Sequence, residues 1–185
     1  MRITLLNGNP EGGEPGFDHY LSTLATQLET DGHTVTHLPL RDLDADFCTG
    51  CWSCWVKTPG LCLFKDDSHL VCREVIHSDF VLFASPVLMG YLSAVLKKFM
   101  DKIIPLLHPY LVEDQGEAHH QYRYAPEDYP LGGLLLEKTP GTDEEDIEII
   151  SAIHARTSLN MKSRNAFTML TESPVKEVAN AINRL

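Results

Sequence analysis

Cys48, Cys51, Cys54 and Cys62 crowd one short stretch, CTGCWSCWVKTPGLCLFKDD, with the spacing C-x2-C-x2-C-x7-C. Thiolates this dense suit three chemistries. They can bind a metal ion, hold an iron–sulfur cluster, or exchange electrons among themselves. Each points to metals or electrons rather than to hydrolysis. The fifth cysteine, Cys72, shares a helical pattern with Ile76 and reads as a small buried apolar residue. His119-His120 invites comparison with a metal site. Neighbours on an extended chain point apart, however, so both read as surface or hydrogen-bonded histidines. The acids Asp143 to Asp146 lack the alternating ligands of a calcium loop and read as a solvated helix start.

The elements that must hold these residues fit one domain, 1–185, with a cysteine loop at 48–62 and a long loop or arm at 108–130. A hydrophobic fraction of 43% supports an ordinary core without covalent staples. A formal net charge of −11 argues against nucleic acid and anionic membrane surfaces as partners. The start, MRITLLNGNP, lacks a signal-peptide pattern, and no apolar run approaches a membrane span. A cytoplasmic location is therefore expected. In a reducing compartment the clustered cysteines read as ligands or redox thiols rather than disulfides.

Hydrophobic periodicity predicts alternating strands and helices. Strands are expected at 2–6, 33–38, 80–84, 133–136 and 166–170. Phe17, Leu21, Leu24, Ala25 and Leu28 mark a helix that stops at Gly32, and Asp67 can cap a second one running to about Ser78. Leu92, Leu96, Phe99 and Ile103 mark a third helix. A fourth opens on a capping box at Thr142 to Glu145 and turns Ile147, Ile150 and Ile153 inward. Ser173-Pro174 opens the last helix. Between His108 and Pro130 no period is visible. Its tyrosines, Tyr110, Tyr122, Tyr124 and Tyr129, read as packing or interface residues. This order predicts a doubly wound five-stranded parallel sheet with helices on both faces. Chemistry is then expected in the loops beyond Leu6, Ala84 and Glu137, with the cysteine loop opening on the same edge.

The loop after the third strand reads SPVLMGYLSAVLKKFMDK. Through Pro86, Gly90, Ser93, Ala94, Lys97, Phe99 and Asp101 it resembles the flavodoxin-like NAD(P)H-dependent FMN reductases. The resemblance implies that Pro86, Val87, Leu88, Met89 and Gly90 line the isoalloxazine ring of FMN. It also implies that Asn9, Pro10, Gly12 and Gly13 approach its phosphate. No G-x-G-x-x-G follows the first strand, which favours FMN over a dinucleotide. The cysteine spacing, followed by Asp66 and Asp67, is similar to the iron–sulfur flavoprotein branch. That implies a [4Fe–4S] cluster on Cys48, Cys51, Cys54 and Cys62. The residues themselves leave a cluster and redox thiols equally open, with zinc behind both.

The first loop departs from the family pattern. Glu11 stands where Arg is common, Glu14 and Asp18 add charge, and 9–20 holds no Ser or Thr hydroxyl. A helix terminus gives an anion about 0.3–1 kcal/mol. Two unit charges about 6 Å apart repel by about 0.7 kcal/mol even in bulk water. Free carboxylates here would cancel the dipole unless they turn away. The expected function is an FMN-dependent oxidoreductase or electron-transfer flavoprotein. It would take electrons from NAD(P)H or a reduced carrier and pass them to a small acceptor, with no side-chain acid or base required. A homodimer or homotetramer is expected, with the arm at the flavin pocket or the subunit contact. The alternative is a flavin-free flavodoxin-like module that binds a metal, a cluster or a partner through its cysteine loop.

Overall fold

Five parallel strands lie in the order β2-β1-β3-β7-β8 and carry helices on both faces. The structure is a computed structural model and describes residues 1–12, 16–114 and 116–185. In chain order its elements are β1 (Arg2–Asn7), α1 (Phe17–Thr30), β2 (Thr34–Pro39), α2 (Ser53–Val56), α3 (Ser68–Ile76), β3 (Phe80–Leu88) and β4 (Tyr91–Leu92). There follow α4 (Ala94–Lys102), β5 (Leu107–Asp114), β6 (Glu117–Tyr122), β7 (Leu131–Glu137), α5 (Glu144–Asn160), β8 (Asn165–Leu170) and α6 (Val175–Asn183). The strand order reverses between β1 and β3, where open α/β sheets bind their ligands.

β3 shows why the sheet needs both faces covered. Phe80, Leu82 and Ala84 pack with α1 and α6, through Leu21, Leu24, Leu28, Val178 and Ile182. Val81 and Phe83 pack on the other side against α3, α4 and α5, through Val71, Leu96, Phe99 and Ile150. A strand buried twice has no polar alternation, which is why FVLFA is continuously apolar.

Several expectations need correction. The stretch 108–130 is not irregular: β5 and β6 pair antiparallel, with a register shift between Leu107 and Leu111. That bulge and the polar residues hid the period. Beyond the hairpin, Arg123 donates from Nε to Pro105 O at 2.8 Å and from Nη2 to Leu107 O at 3.0 Å. Tyr129 Oη accepts from Arg123 N at 2.9 Å and donates to Leu106 O. The arm is thus ordered by its own bonds and needs no neighbour for that.

On α5, Ile150 is buried, but Ile153 is 41% exposed and His154 takes the inward place. The 3.6-residue period selects 147, 150 and 154, one step past the predicted face. The capping box is Asp143 with Asp146 rather than Thr142 with Glu145. Asp67 sits at the start of α3, yet its carboxylate accepts from Asp44 N, and Asp66 accepts from Ser68 N. α6 opens at Pro174 without a side-chain cap, so Ser173 does not cap it.

Candidate functional site

β3 runs past its predicted end, through Ser85-Pro86-Val87-Leu88, and turns back as β4. Val87 faces Leu92 and Leu88 faces Tyr91, so Met89-Gly90 forms a two-residue hairpin turn. Both turn residues have positive φ, 53° and 74°. Such a turn follows the twist of its strands, but it favours Asn-Gly over Met-Gly. Met89 is fully exposed. Gly90 is doubly constrained, because a Cβ there would also lie 2.9 Å from the Asp146 carboxylate.

Two buried serines tie this hairpin to the first loop. Ser85 Oγ donates to Pro86 O and accepts from Ser93 N at 2.9 Å. Ser93 Oγ caps α4 at Leu96 N and donates to Gly8 O. Gly8 packs so closely that a Cβ would meet Leu96 Cβ at 2.5 Å. Thr139 Oγ1, beyond β7, donates to Val87 O. The three predicted loops are therefore bonded into one rim at the strand carboxyl edge.

In the first loop Asn7 Oδ1 accepts from Asn9 N at 2.9 Å, and the Asn7 and Asn9 amides both donate to Asp18. Arg41, just beyond β2, pairs with Asp18 at 2.8 Å. Burial would raise the Asp18 pKa, but the two amides and the Arg41 guanidinium hold it below the ordinary value. Asp18 is a neutralised structural acid rather than a free charge facing a phosphate. Pro10 and Gly12 are exposed on the loop, and Gly13 lies outside the described residues. The side chain of Glu137, at the end of β7 and in register with Pro86, has no hydrogen bond or ion pair among the described residues. Burial and the charge of Asp18 raise its pKa. No α1 side chain caps that helix's N-terminus. The N-terminal end of α1, the Arg41 guanidinium beside it and an acid already neutralised form a set that fits the FMN phosphate.

The four cysteines line one cavity of about 290 Å³ together with Phe47, Trp52, Phe64, Lys102 and Pro105. Asp44 and Asp67 clip the base of the loop: Asp67 N donates to Asp44 O at 2.9 Å, and Asp44 N to the Asp67 carboxylate at 2.7 Å. The cavity floor is the C-terminal end of α4, so the loop does not open on the strand edge as expected. A crossover helix returns antiparallel to its strands. Eight residues of α4 separate the two sites by about 12 Å along its axis.

No three His, Cys, Asp or Glu side chains among the described residues are gathered closely enough to hold one metal ion. The thiols also differ. Side-chain and backbone hydrogen bonds with Ser53 lower the pKa of exposed Cys51. Burial, then the charges of Cys62, Cys48 and Cys51, raise that of Cys54. Burial first and nearby Cys62 and Cys54 push Cys72 up to about 12. Cys72 donates to Lys102 O at 3.4 Å. Lys102 is almost wholly buried and ion-pairs with Asp66 beneath the cavity. Burial would raise Asp66, but bonds from Lys102 and Ser68 lower it. Trp52, at φ 57°, stacks on Trp55 at 4.8 Å, and Trp55 meets His120 on β6 at 5.0 Å. His119 turns the other way, to Asn160.

The family of NADPH-dependent FMN reductases matches residues 1–122, a span holding both the first loop and the hairpin. The chain belongs to that family. It is 34% identical over 88 residues to an iron–sulfur flavoprotein of Archaeoglobus fulgidus, covering 48% of this chain and 39% of that one. It is 33% identical over 106 residues to an iron–sulfur flavoprotein of Methanocaldococcus jannaschii, covering 57% and 53%. The chain thus spans about half or less of the curated relatives it matches. An azoreductase from Bacillus anthracis superposes with a TM-score of 0.68 at 12% identity, over 100% of this chain and 99% of its own. An NAD(P)H:quinone oxidoreductase from Methanothermobacter marburgensis gives 0.63 at 16% identity, over 99% and 92%. These likenesses show the flavodoxin-like fold of the reductases. Among the described residues no helix is long and apolar enough to cross a membrane.

Sequence reasoning missed two residues of these sites. Arg41 was legible as a cation two residues past a strand end, and Lys102 as the last residue of an amphipathic helix. The positive φ of Trp52 left no signal.

Proposed function

We propose that the protein is an FMN-dependent oxidoreductase that takes electrons from a reduced nicotinamide, or a reduced carrier, and passes them to a small acceptor. The observation carrying this reading is the bonded rim itself. The first loop, the Pro86–Gly90 hairpin and the loop beyond β7 meet at the switch point of a family whose members reduce FMN. Bound there, FMN would supply the hydride and single-electron chemistry. The residues of this chain position it. Asn9, Pro10 and Gly12, with Gly13, would flank the phosphate, and Pro86, Val87, Leu88, Met89 and Gly90 the ring. Ser85 and Ser93 hold these two segments at a fixed distance, and no side chain is assigned a proton transfer. Absorbance of protein purified without air tests the reading. Paired near-ultraviolet and blue flavin bands support it. A protein with neither, and unchanged by added FMN, contradicts it.

For Cys48, Cys51, Cys54 and Cys62 we propose a [4Fe–4S] cluster. Thiolate donors suit iron. Four thiols lining one cavity match the four thiolate ligands that such a cluster takes. Anaerobic reconstitution should then give about four irons per chain. One observation favours the redox-thiol reading: exposed Cys51 with a lowered pKa and buried Cys54 with a raised one resemble an attacking and a resolving thiol. Iron-free protein in which Cys51 alkylates well before Cys54 would decide for it. A cytoplasmic location and a homo-oligomer complete the proposal. Exposed Tyr110 and Leu111 on the β5–β6 hairpin support a subunit contact there.

A further inference from the structure

The first loop poses a charge problem that the turn after β2 answers. Beside Asn9–Gly12 the loop itself offers no cation, and Glu11 occupies the position where the family commonly has one. Arg41 lies in a short 3-10 turn, Leu40–Asp42, that begins where β2 ends, and β2 ends beside β1. Its side chain reaches across that end. Nη2 pairs with Asp18 at 2.8 Å, Nη1 donates to Asn9 O at 3.4 Å, and Nε lies 3.7 Å from Asp42. A Cβ on Gly12 would sit 3.4 Å from Nε and 3.7 Å from Nη2, so the guanidinium lies directly against the loop. The loop can lack a side chain at Gly12 and still present a cation there. Among the described residues, the charged and titratable groups around it are Asp18, Asp42 and His37, with Glu137 beyond Asp18. A guanidinium has five N–H donors in a planar fork, so Asp18, Asn9 O and the more distant Asp42 do not exhaust it.

We propose that Arg41 recognises the 5′-phosphate of FMN, bringing from the turn after β2 the cation that the first loop lacks. This rests on the FMN reading above. Asp18 is the positioning partner: it holds the guanidinium against the loop and is itself held by Asn7 and Asn9. Arg41 then determines the preference for the phosphorylated flavin, while the hairpin at Pro86–Gly90 serves the ring common to FMN and riboflavin.

Equilibrium titration with FMN and with riboflavin, read by flavin fluorescence, tests this on the full chain. Wild-type protein should bind FMN more tightly than riboflavin. Arg41→Gln should reduce that preference about tenfold or more, the scale of a lost charge-assisted pair, with riboflavin affinity unchanged. Because Arg41→Gln leaves Asp18 unpaired, the double variant Asp18→Asn/Arg41→Gln is the deciding one. If Arg41 contacts the phosphate, the double variant still lacks the preference. If Arg41 only neutralises Asp18, the double variant regains it, and the inference is overturned. Equal wild-type affinity for the two flavins overturns it as well. Wild-type protein that binds neither flavin removes the FMN reading, and this inference with it.

Discussion

The two ends of α4 hold sites built on different principles. At its start, the β3–β4 hairpin turn is shaped by backbone, through two positive-φ residues and strand pairing, and the Ser85, Ser93 and Thr139 hydroxyls only anchor it to neighbouring main chain. At its end, the cysteine loop is shaped by side chains: a buried ion pair, an aromatic stack and four thiols. The strained residues show the contrast. Trp52 is held in its left-handed conformation by stacking on Trp55, which leans on His120. Met89 has the same strain and full exposure, with no packing to compensate it. A backbone site tolerates sequence change as long as the turn survives. A side-chain site depends on each partner.

Removing one partner at the cysteine end should therefore cost most. Lys102→Met leaves the Asp66 carboxylate without its buried ammonium and should lower unfolding free energy by about 3 kcal/mol. Urea unfolding measures it. A loss below about 1 kcal/mol, no more than a surface pair contributes, would remove the contrast.

Comparable in size is an acid effect beneath the hairpin strand. His154 packs edge-on against Phe83 at 5.0 Å, and burial lowers its pKa to about 4. The unfolded chain takes up this proton near pH 6.5 and the folded chain only near pH 4, so stability falls as pH drops through that window. The expected loss is about 3 kcal/mol. His154→Leu should flatten the dependence between those limits. A slope unchanged in that variant would assign it to other groups.

How much of this was legible follows the same division. The parallel sheet and the rim loops came from apolar periodicity and turn residues, which are local signals. The hairpin loop was found through Pro86 and Gly90, although β3 runs four residues beyond its predicted end. Partners brought together by the tertiary fold were not legible. Nothing in the spacing of Asp66 and Lys102, or of Asp18 and Arg41, marks them as pairs. The concern about the charge of Asp18 left out its partner for that reason: the neutralising cation comes from another element. The expectation that the cysteines open on the strand edge failed because the end of α4 floors their cavity.

The smallest expected change sharpens the hairpin side. Met89→Asn places a residue that tolerates positive φ at the turn and should raise stability by about 1 kcal/mol. A higher melting temperature with FMN affinity unchanged would confirm that backbone conformation, not this side chain, defines the turn. A lower one would show the methionine to be packed after all. Gly90→Val is a poorer probe of the ring, because it meets both positive φ and the Asp146 carboxylate.

The most direct test of two separate sites is a calorimetric titration of FMN into wild-type protein and into Cys51→Ser. Cys51 is exposed, so the variant should retain the fold. The expected result is one FMN per chain in both proteins, with affinities agreeing within about threefold, less than 1 kcal/mol. Absence of binding to wild-type protein at high micromolar FMN, or binding abolished by Cys51→Ser, would contradict the assignment of FMN to the strand edge.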